Sequence, residues 1–325
     1  MKLSIITINY NNAEGLRKTL ASVASQTYAN IEHIIIDAAS TDGSVDVIRE
    51  YVKASPQPSP EGKGRHIIWT SEPDTGIYNA MNKGIEIALG RRVVNSLNRS
   101  ELAASTPYTL HPTPSQLCEH YIQILNSGDL LAAPDVTARM MDALHELMNE
   151  GVNELREVSI FYGNMLKSYD GKTIIKRDTC GGKMYMPESF LYFYKGTLNH
   201  DCAYIRRDLF DKYGLYNEQM RICSDWEWYV RAIVLGGEKT VYTNIDVTIF
   251  DMNGVSESHG KNAELIKKER REYLESILPP AVLRDYDQFA FPLLQYQRLK
   301  KYHLWGIVHF MERVLFKLEK WGFVR

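Results

Sequence analysis

The N-terminal part of the chain repeats one rhythm of apolar and polar positions. Leu3 to Ile8 is a short β-branched apolar run, followed by polar residues and then by Leu16, Leu20 and Val23 at helical spacing. A second run, Ile31 to Ile36, ends at Asp37 and leads through Ser40 to Gly43 into a helical pattern over Val45 to Val52. Strand, loop and helix in this order predict an α/β fold, a mostly parallel central sheet flanked by helices. Ligands of such sheets bind at the carboxyl ends of the strands. The polar residues after each run, Asn9 to Asn12 and Asp37 to Asp42, are therefore expected to face one. Tyr121 to Leu125 reads as a further strand, ending in Asn126, Ser127, Gly128 and Asp129.

Two stretches interrupt the rhythm. Ala54 to Gly64 is rich in Pro, Ser and Gly, and the region near 91–120 holds Pro107, Pro112 and Pro114 among Ser and Thr between Asn95 and Gln116. Both read as surface insertions, which cost a fold only about 0.6 kcal/mol per doubling of loop length. Asp170-Gly171 and Gly181-Gly182 suggest hairpin turns. From Lys261 the pattern turns helical, through Glu264 to Ile277 and, after Pro279-Pro280, Phe289 to Phe323. The expected organisation is a catalytic domain over 1–260 and a C-terminal helical extension over 261–325. The last helix mixes Lys and Arg with Trp305, Phe310, Leu315, Phe316 and Trp321, a composition suited to a membrane interface or to packing on protein.

Composition narrows the function classes. The 325 residues are 44% hydrophobic, enough for one large core, and 38 basic against 40 acidic residues leave a net charge of -2, with no global signal for nucleic acid. Cys118, Cys180, Cys202 and Cys223 form no CxxC pair, which disfavours a structural zinc site and fits reduced thiols in a cytoplasmic protein. Met1 to Ile8 is too short for a signal-peptide core. No uncharged apolar stretch reaches the roughly 18 residues that span a bilayer.

Five segments carry a more specific signal: Ser4 to Asn11 (SIITINYN), Ile34 to Gly43 (IIIDAASTDG), Ser71 to Gly84 (SEPDTGIYNAMNKG), Leu125 to Asp129 (LNSGD) and Ser224 to Trp228 (SDWEW). In this order they resemble the family 2 glycosyltransferases of the GT-A fold, in particular bacterial enzymes of surface-polysaccharide synthesis. The resemblance runs from about Met1 to Ser258 and skips the insertions. It implies inverting transfer of a sugar from a nucleoside-diphosphate sugar to a saccharide or lipid-linked acceptor. It also implies a divalent metal, Mn2+ or Mg2+, and a place at the inner face of the cytoplasmic membrane, peripherally held.

On these segments the resemblance and the residue chemistry together nominate a site. Tyr10 is expected against the donor's base, with Thr7 and Asp37 bonding base or ribose; plain strand-end packing is the alternative for Thr7 and Tyr10. Ala38 stands where relatives often carry a uracil-reading acid, so UDP follows from the resemblance and not from the residues. Asp74 and Gly76 precede a helix through Ile77, Met81, Ile85 and Ala88, whose free N–H groups suit a ligand near the diphosphate. Asn82 is expected to border the donor or to lie on an exposed helix face, and Asp42 to order its own loop or cap the helix that follows.

Asp129 is the expected metal ligand, since Gly128 fills the other position where relatives carry acids; Ser-Gly-Asp is also turn chemistry. Asp225 is the expected catalytic base, with its helix N-cap role as the alternative and Glu227 as a substitute base. His200 and Trp226 are candidates for acceptor or phosphate contact. Gly254, Ser256 and His259 are candidates for a loop closing over the donor. Two rivals remain at this point, a nucleotidyltransferase and a non-catalytic sugar-nucleotide or glycan binder on the same fold.

Overall fold

The computed structural model describes residues 1–55, 66–94, 120–149, 158–179, 189–252 and 262–321. All of Asn95–Gln116 and most of Ala54–Gly64 lie outside them, as do Cys118, Cys180, the Gly181-Gly182 turn, Gly254, Ser256 and His259. The chain forms two compact units, Met1–Arg270 and Arg271–Arg325.

The first unit is built on a mixed sheet. Strands β1 (Lys2–Asn9), β2 (Ile31–Asp37), β3 (His66–Ser71) and β4 (His120–Ile124) lie parallel in the order β3-β2-β1-β4. Strand β8 (Ala203–Arg206) runs antiparallel beside β4 and leads to β6 (Val158–Ser168), β9 (Lys239–Asp251) and the short β5 (Leu130–Leu131). Strand β7 (Lys176–Asp178) pairs with β6 across a turn in which Asp170 accepts the N–H groups of Lys172 and Thr173 at 2.8 and 2.7 Å. Gly171 takes φ = 74° there, so the hairpin expected at Asp170-Gly171 is present.

Both faces of the parallel strands are covered, which is why β1 and β2 read as continuous apolar runs. Helices α1 (Ala13–Ala24) and α2 (Ser44–Ala54) set Leu16, Leu20, Val47 and Ile48 against Ile35. Helix α3 (Ile77–Ala88) lies on β1 and β2, with Gly84 seated on Ile6. The remaining helices of this unit include α4 (Val136–Asn149), α5 (Phe190–Lys195), α6 (Asp208–Tyr213) and α7 (Ser224–Tyr229), which continues as a π-helical turn over Val230–Leu235. Helix α8 (Ala263–Ile277) follows.

The second unit is helical. Helix α9 (Pro280–Lys301) starts on a proline whose missing N–H would be unsatisfied there in any case. It is joined to α10 (Trp305–Lys320) by a turn in which the rings of Tyr296 and Trp305 meet edge to face at 4.3 Å. No residue of α10 is buried. Ile307, Phe310, Met311 and Val314 recur at helical spacing and are exposed. Among the described residues no helix is long and apolar enough to cross a membrane.

A methyl group at Gly84 would overlap Cγ2 of Ile6. Helix propensity alone favours alanine over glycine by about 1 kcal/mol. Overpacking against the sheet is expected to reverse that sign, so Gly84→Ala should lose about 1–3 kcal/mol, read from the midpoint of urea unfolding at unchanged slope.

Candidate active site

The carboxyl ends of the parallel strands are fastened to one another by a buried carboxylate. Asn9, Asp37 and Ser71 are register partners on β1, β2 and β3. Asp37 Oδ1 accepts from Asn9 Nδ2 at 2.8 Å and from Ser40 Oγ at 2.6 Å; Oδ2 accepts from the Ser40 N–H at 3.0 Å and from Ser71 Oγ at 2.6 Å. The following loops are interlaced as well. The Asn11 N–H donates to Ser40 Oγ, the Thr41 N–H to Asn11 Oδ1, and the Ala13 N–H to Asp42 Oδ2. Asp42 also accepts from the hydroxyl and N–H of Ser44, which hold its carboxyl below the ordinary value, and so orders its loop as expected.

Asp129 sits in the loop after β4. That loop is bound to α1: Asn12 Nδ2 donates to the Ser127 carbonyl, the Gly128 N–H donates to Thr19 Oγ1, and Thr19 Oγ1 donates to the Asp129 carbonyl at 2.8 Å. The Asp129 carboxylate is buried, and Oδ1 accepts from the Asp251 N–H at 2.9 Å. Burial, then the charge of nearby Asp201, push its pKa up to about 8. Gly128 has φ = 111°, and a Cβ there would lie 3.3 Å from Asp251 Oδ2. Backbone conformation therefore disfavours an acid at 128 in this chain, and Asp251, at the end of β9, brings a second carboxylate to the same place.

Asp225 stands at the start of α7, 25 positions after His200. Its Oδ2 is 3.3 Å from His200 Nδ1, and its Oδ1 accepts from the Tyr78 hydroxyl at 3.1 Å. The other His200 nitrogen, Nε2, is 3.2 Å from Asn126 Nδ2, in the loop that carries Asp129. Burial works against the His200 cation, but the bond and charge of Asp225, with Asp201 and Asp129 behind it, outweigh it and raise the His200 pKa. Burial likewise opposes ionisation of Asp225, and the His200 and Tyr78 bonds outweigh it and hold Asp225 below the ordinary carboxylate value. His200 thus connects the two acids singled out from the sequence.

Other expected residues fall differently. Tyr10 is 68% exposed just past the end of β1, open to a ligand. Asp74 accepts from the Gly76 N–H at 3.0 Å, and partial burial raises its pKa, with Lys83 opposing. Gly76, with φ = 141°, precedes α3 and gives it no side-chain cap. Thr7 is instead buried inside the layer, its Oγ1 3.0 Å from His33 Nε2, so its expected donor contact is replaced by packing. Asn82 does not lie on an exposed helix face. It is buried and clamps residue 216 through the Tyr216 N–H and carbonyl, and donates to Glu218. Trp226 is also buried, its Nε1 donating to the Phe193 carbonyl at 2.8 Å under the Arg270 guanidinium. Glu227 is spent in an ion pair with Arg231 at 3.0 Å.

The residues not foreseen from the sequence are Tyr78, Asn126, Asp201 and Asp251. Tyr78 and Asn126 lay within recognised segments, but only the packed chain shows what they touch. Among the described residues no three His, Cys, Asp or Glu side chains assemble a ready metal cage. Asp129 nevertheless fits a hard divalent cation: it is an oxygen ligand crowded by Asp201, and the charge of His200 only partly offsets that crowding.

The strand-end carboxylates and the GT-A-like order of the sheet agree with comparison to known proteins. The model for glycosyl transferase family 2 matches residues 4–96. An uncharacterized glycosyltransferase of Mycobacterium tuberculosis is 27% identical over 276 residues, 83% of this chain and 82% of its own length. A PGL/p-HBAD biosynthesis glycosyltransferase of Mycobacterium bovis is 23% identical over 268 residues, 82% of each chain. Among solved structures, S. aureus TarS 1–349 in complex with UDP-GlcNAc shares the fold, with a TM-score of 0.52, 15% identity and coverage of 92% of this chain and 73% of that one. The family match and the named relatives identify a glycosyltransferase. The matches support a family 2 glycosyltransferase, and the fold is that of the GT-A enzymes.

The raised Asp129 pKa sets a pH dependence. The unfolded carboxyl releases its proton near pH 3.9, whereas the folded one keeps it to about 8. Across that window the folded state binds more protons, so this group's contribution to stability falls as pH rises and levels off above the folded value. Asp129→Asn, which keeps the acceptor for the Asp251 N–H, is expected to melt higher than the parent at pH 7.5 in chelator and to match it more closely near pH 4. Thermal melts of both proteins across that range check this.

Proposed function

We propose that this enzyme transfers one sugar, with inversion, from a UDP-sugar to a lipid-linked saccharide at the inner face of the cytoplasmic membrane. The observation that carries the reading is the pairing of Asp225 with His200 and Tyr78, joined through Asn126 to the loop of Asp129. Donor binding is assigned to the strand-end surface formed by Tyr10, Asp37 and the Asp74–Gly76 turn. There Asp37 acts through the loops it orders, since four protein bonds already occupy its oxygens. The bare start of α3 offers backbone N–H groups to an anionic donor.

Asp225 is the base. It accepts the proton of the acceptor hydroxyl as that oxygen bonds to the anomeric carbon from the face opposite the leaving nucleoside diphosphate, whose bond to carbon breaks. Such a displacement inverts the anomeric centre. Asp129, with Asp251 beside it, would hold Mn2+ or Mg2+, and the ion when bound supplies Lewis-acid stabilisation to the departing diphosphate. Among the described residues no three His, Cys, Asp or Glu side chains form a cage, so the donor's phosphates would complete the coordination and affinity for metal alone would be weak. A UDP-sugar is favoured by the likeness to TarS with UDP-GlcNAc, and a lipid-linked acceptor by the PGL/p-HBAD relative.

Membrane contact is assigned to the second unit. Residues 298–321 hold six basic side chains (Arg298, Lys300, Lys301, Arg313, Lys317, Lys320) against two acidic ones (Glu312, Glu319). Together with the exposed apolar stripe of α10 this suits an anionic lipid surface.

Two tests follow from this reading. In a panel of UDP-, GDP- and dTDP-sugars with Mn2+ or Mg2+, a UDP-sugar should raise the melting temperature most. With that donor and a lipid-linked acceptor, Asp225→Asn and Asp129→Ala should each lower transfer by at least roughly a hundredfold; parent-like rates in both would sink the site. For the tail, deletion of Arg298–Arg325 is expected to abolish co-sedimentation with phosphatidylglycerol-rich vesicles, and unchanged sedimentation would refute the membrane role.

A further inference from the structure

Asp225 is held from two sides, and His200 is only one of them. The second is Tyr78, the second residue of α3, whose hydroxyl donates to Asp225 Oδ1 at 3.1 Å. The Tyr78 ring is buried and lies 5.8 Å from that of Tyr216. Residue 216 is in turn locked to α3 by Asn82, through bonds of 2.9 and 3.0 Å. Tyr78 therefore has little freedom to leave the carboxylate. Burial and the Asp225 charge push its own ionisation well above the ordinary tyrosine value, so it stays a donor. Two residues earlier in the chain stands Gly76, at the start of α3, where the donor-binding turn ends.

We infer that Tyr78 is a positioning residue for the base: it fixes one oxygen of Asp225 while His200 fixes the other, and ties the base to the helix that carries the donor turn. The inference rests on Asp225 as the base. A carboxylate anchored at both oxygens keeps its plane and presents its remaining lone pairs in one direction. A carboxylate anchored at one oxygen rotates. The other titratable groups on which the Asp225 charge bears are Tyr216, Tyr229 and Cys223, whose ionisation it opposes.

The test is Tyr78→Phe in the full chain, which keeps the ring and removes the hydroxyl. Expected is a fall in kcat of roughly ten- to a hundredfold with the donor KM unchanged. The acid limb of the pH–rate profile should also move to higher pH, because one bond favouring the charged form of Asp225 is gone. A 3-fluorotyrosine at position 78, a stronger donor, should move that limb the other way and guards against a folding defect in the Phe variant. Parent kcat and an unmoved acid limb in Tyr78→Phe overturn the inference while leaving the base intact. Full activity in Asp225→Asn overturns the base itself, and the inference with it.

Discussion

A charge taken out of water costs several kcal/mol unless the protein supplies what water did. At Asp37 the protein supplies all of it, with four donors and no cation. Two of those donors, Asn9 and Ser71, are the residue's register partners on the flanking strands. A slip of β1 or β3 by one residue would turn the partner to the other face of the sheet and strand the carboxylate. The parallel register, the start of the loop after β2 and the exit of β3 toward α3 all hang on this one group. So does everything that α3 then carries.

Asp129 has the same burial and the opposite accounting. It takes one backbone N–H from Asp251 and lies near another acid instead of a donor. Nothing in the fold gains from that arrangement, since an asparagine would accept the same bond without the charge. Residues that break a local rule with no structural return are where function is to be sought. The contrast between Asp37 and Asp129 separates scaffold from site more sharply than their positions do, because both follow a strand and both are aspartates.

The alternation of apolar runs and helical patterns made the parallel half of the sheet legible in the sequence, since strands buried on both faces leave unbroken β-branched runs such as Ile34 to Ile36. Asp129, Asp225 and His200 were nominated by the resemblance of the segments that carry them. What could not be read was direction. Thr7, Asn82 and Trp226 lie in the right segments, but side-chain orientation depends on packing partners far away in the chain, His33, Tyr216 and Phe193. The antiparallel half was likewise hidden, because β9 reaches the site through Asp251, 122 positions along the chain from the Asp129 it bonds.

Helix α3 shows how these separate facts combine. Its first turn is uncapped, its second residue bonds Asp225, its sixth clamps the 216–218 segment, and its eighth, Gly84, rests on β1 without the space for a methyl group. A helix is stiff over this length, so a contact at one end sets the geometry at the other. The close seat at Gly84 fixes its height above the sheet, and the Asn82 clamp fixes its rotation. With both set, the hydroxyl of Tyr78 and the N–H groups of the first turn are placed by the same rigid body. Strand register, through Asp37, and base position, through Tyr78, are in this way two ends of one mechanical chain.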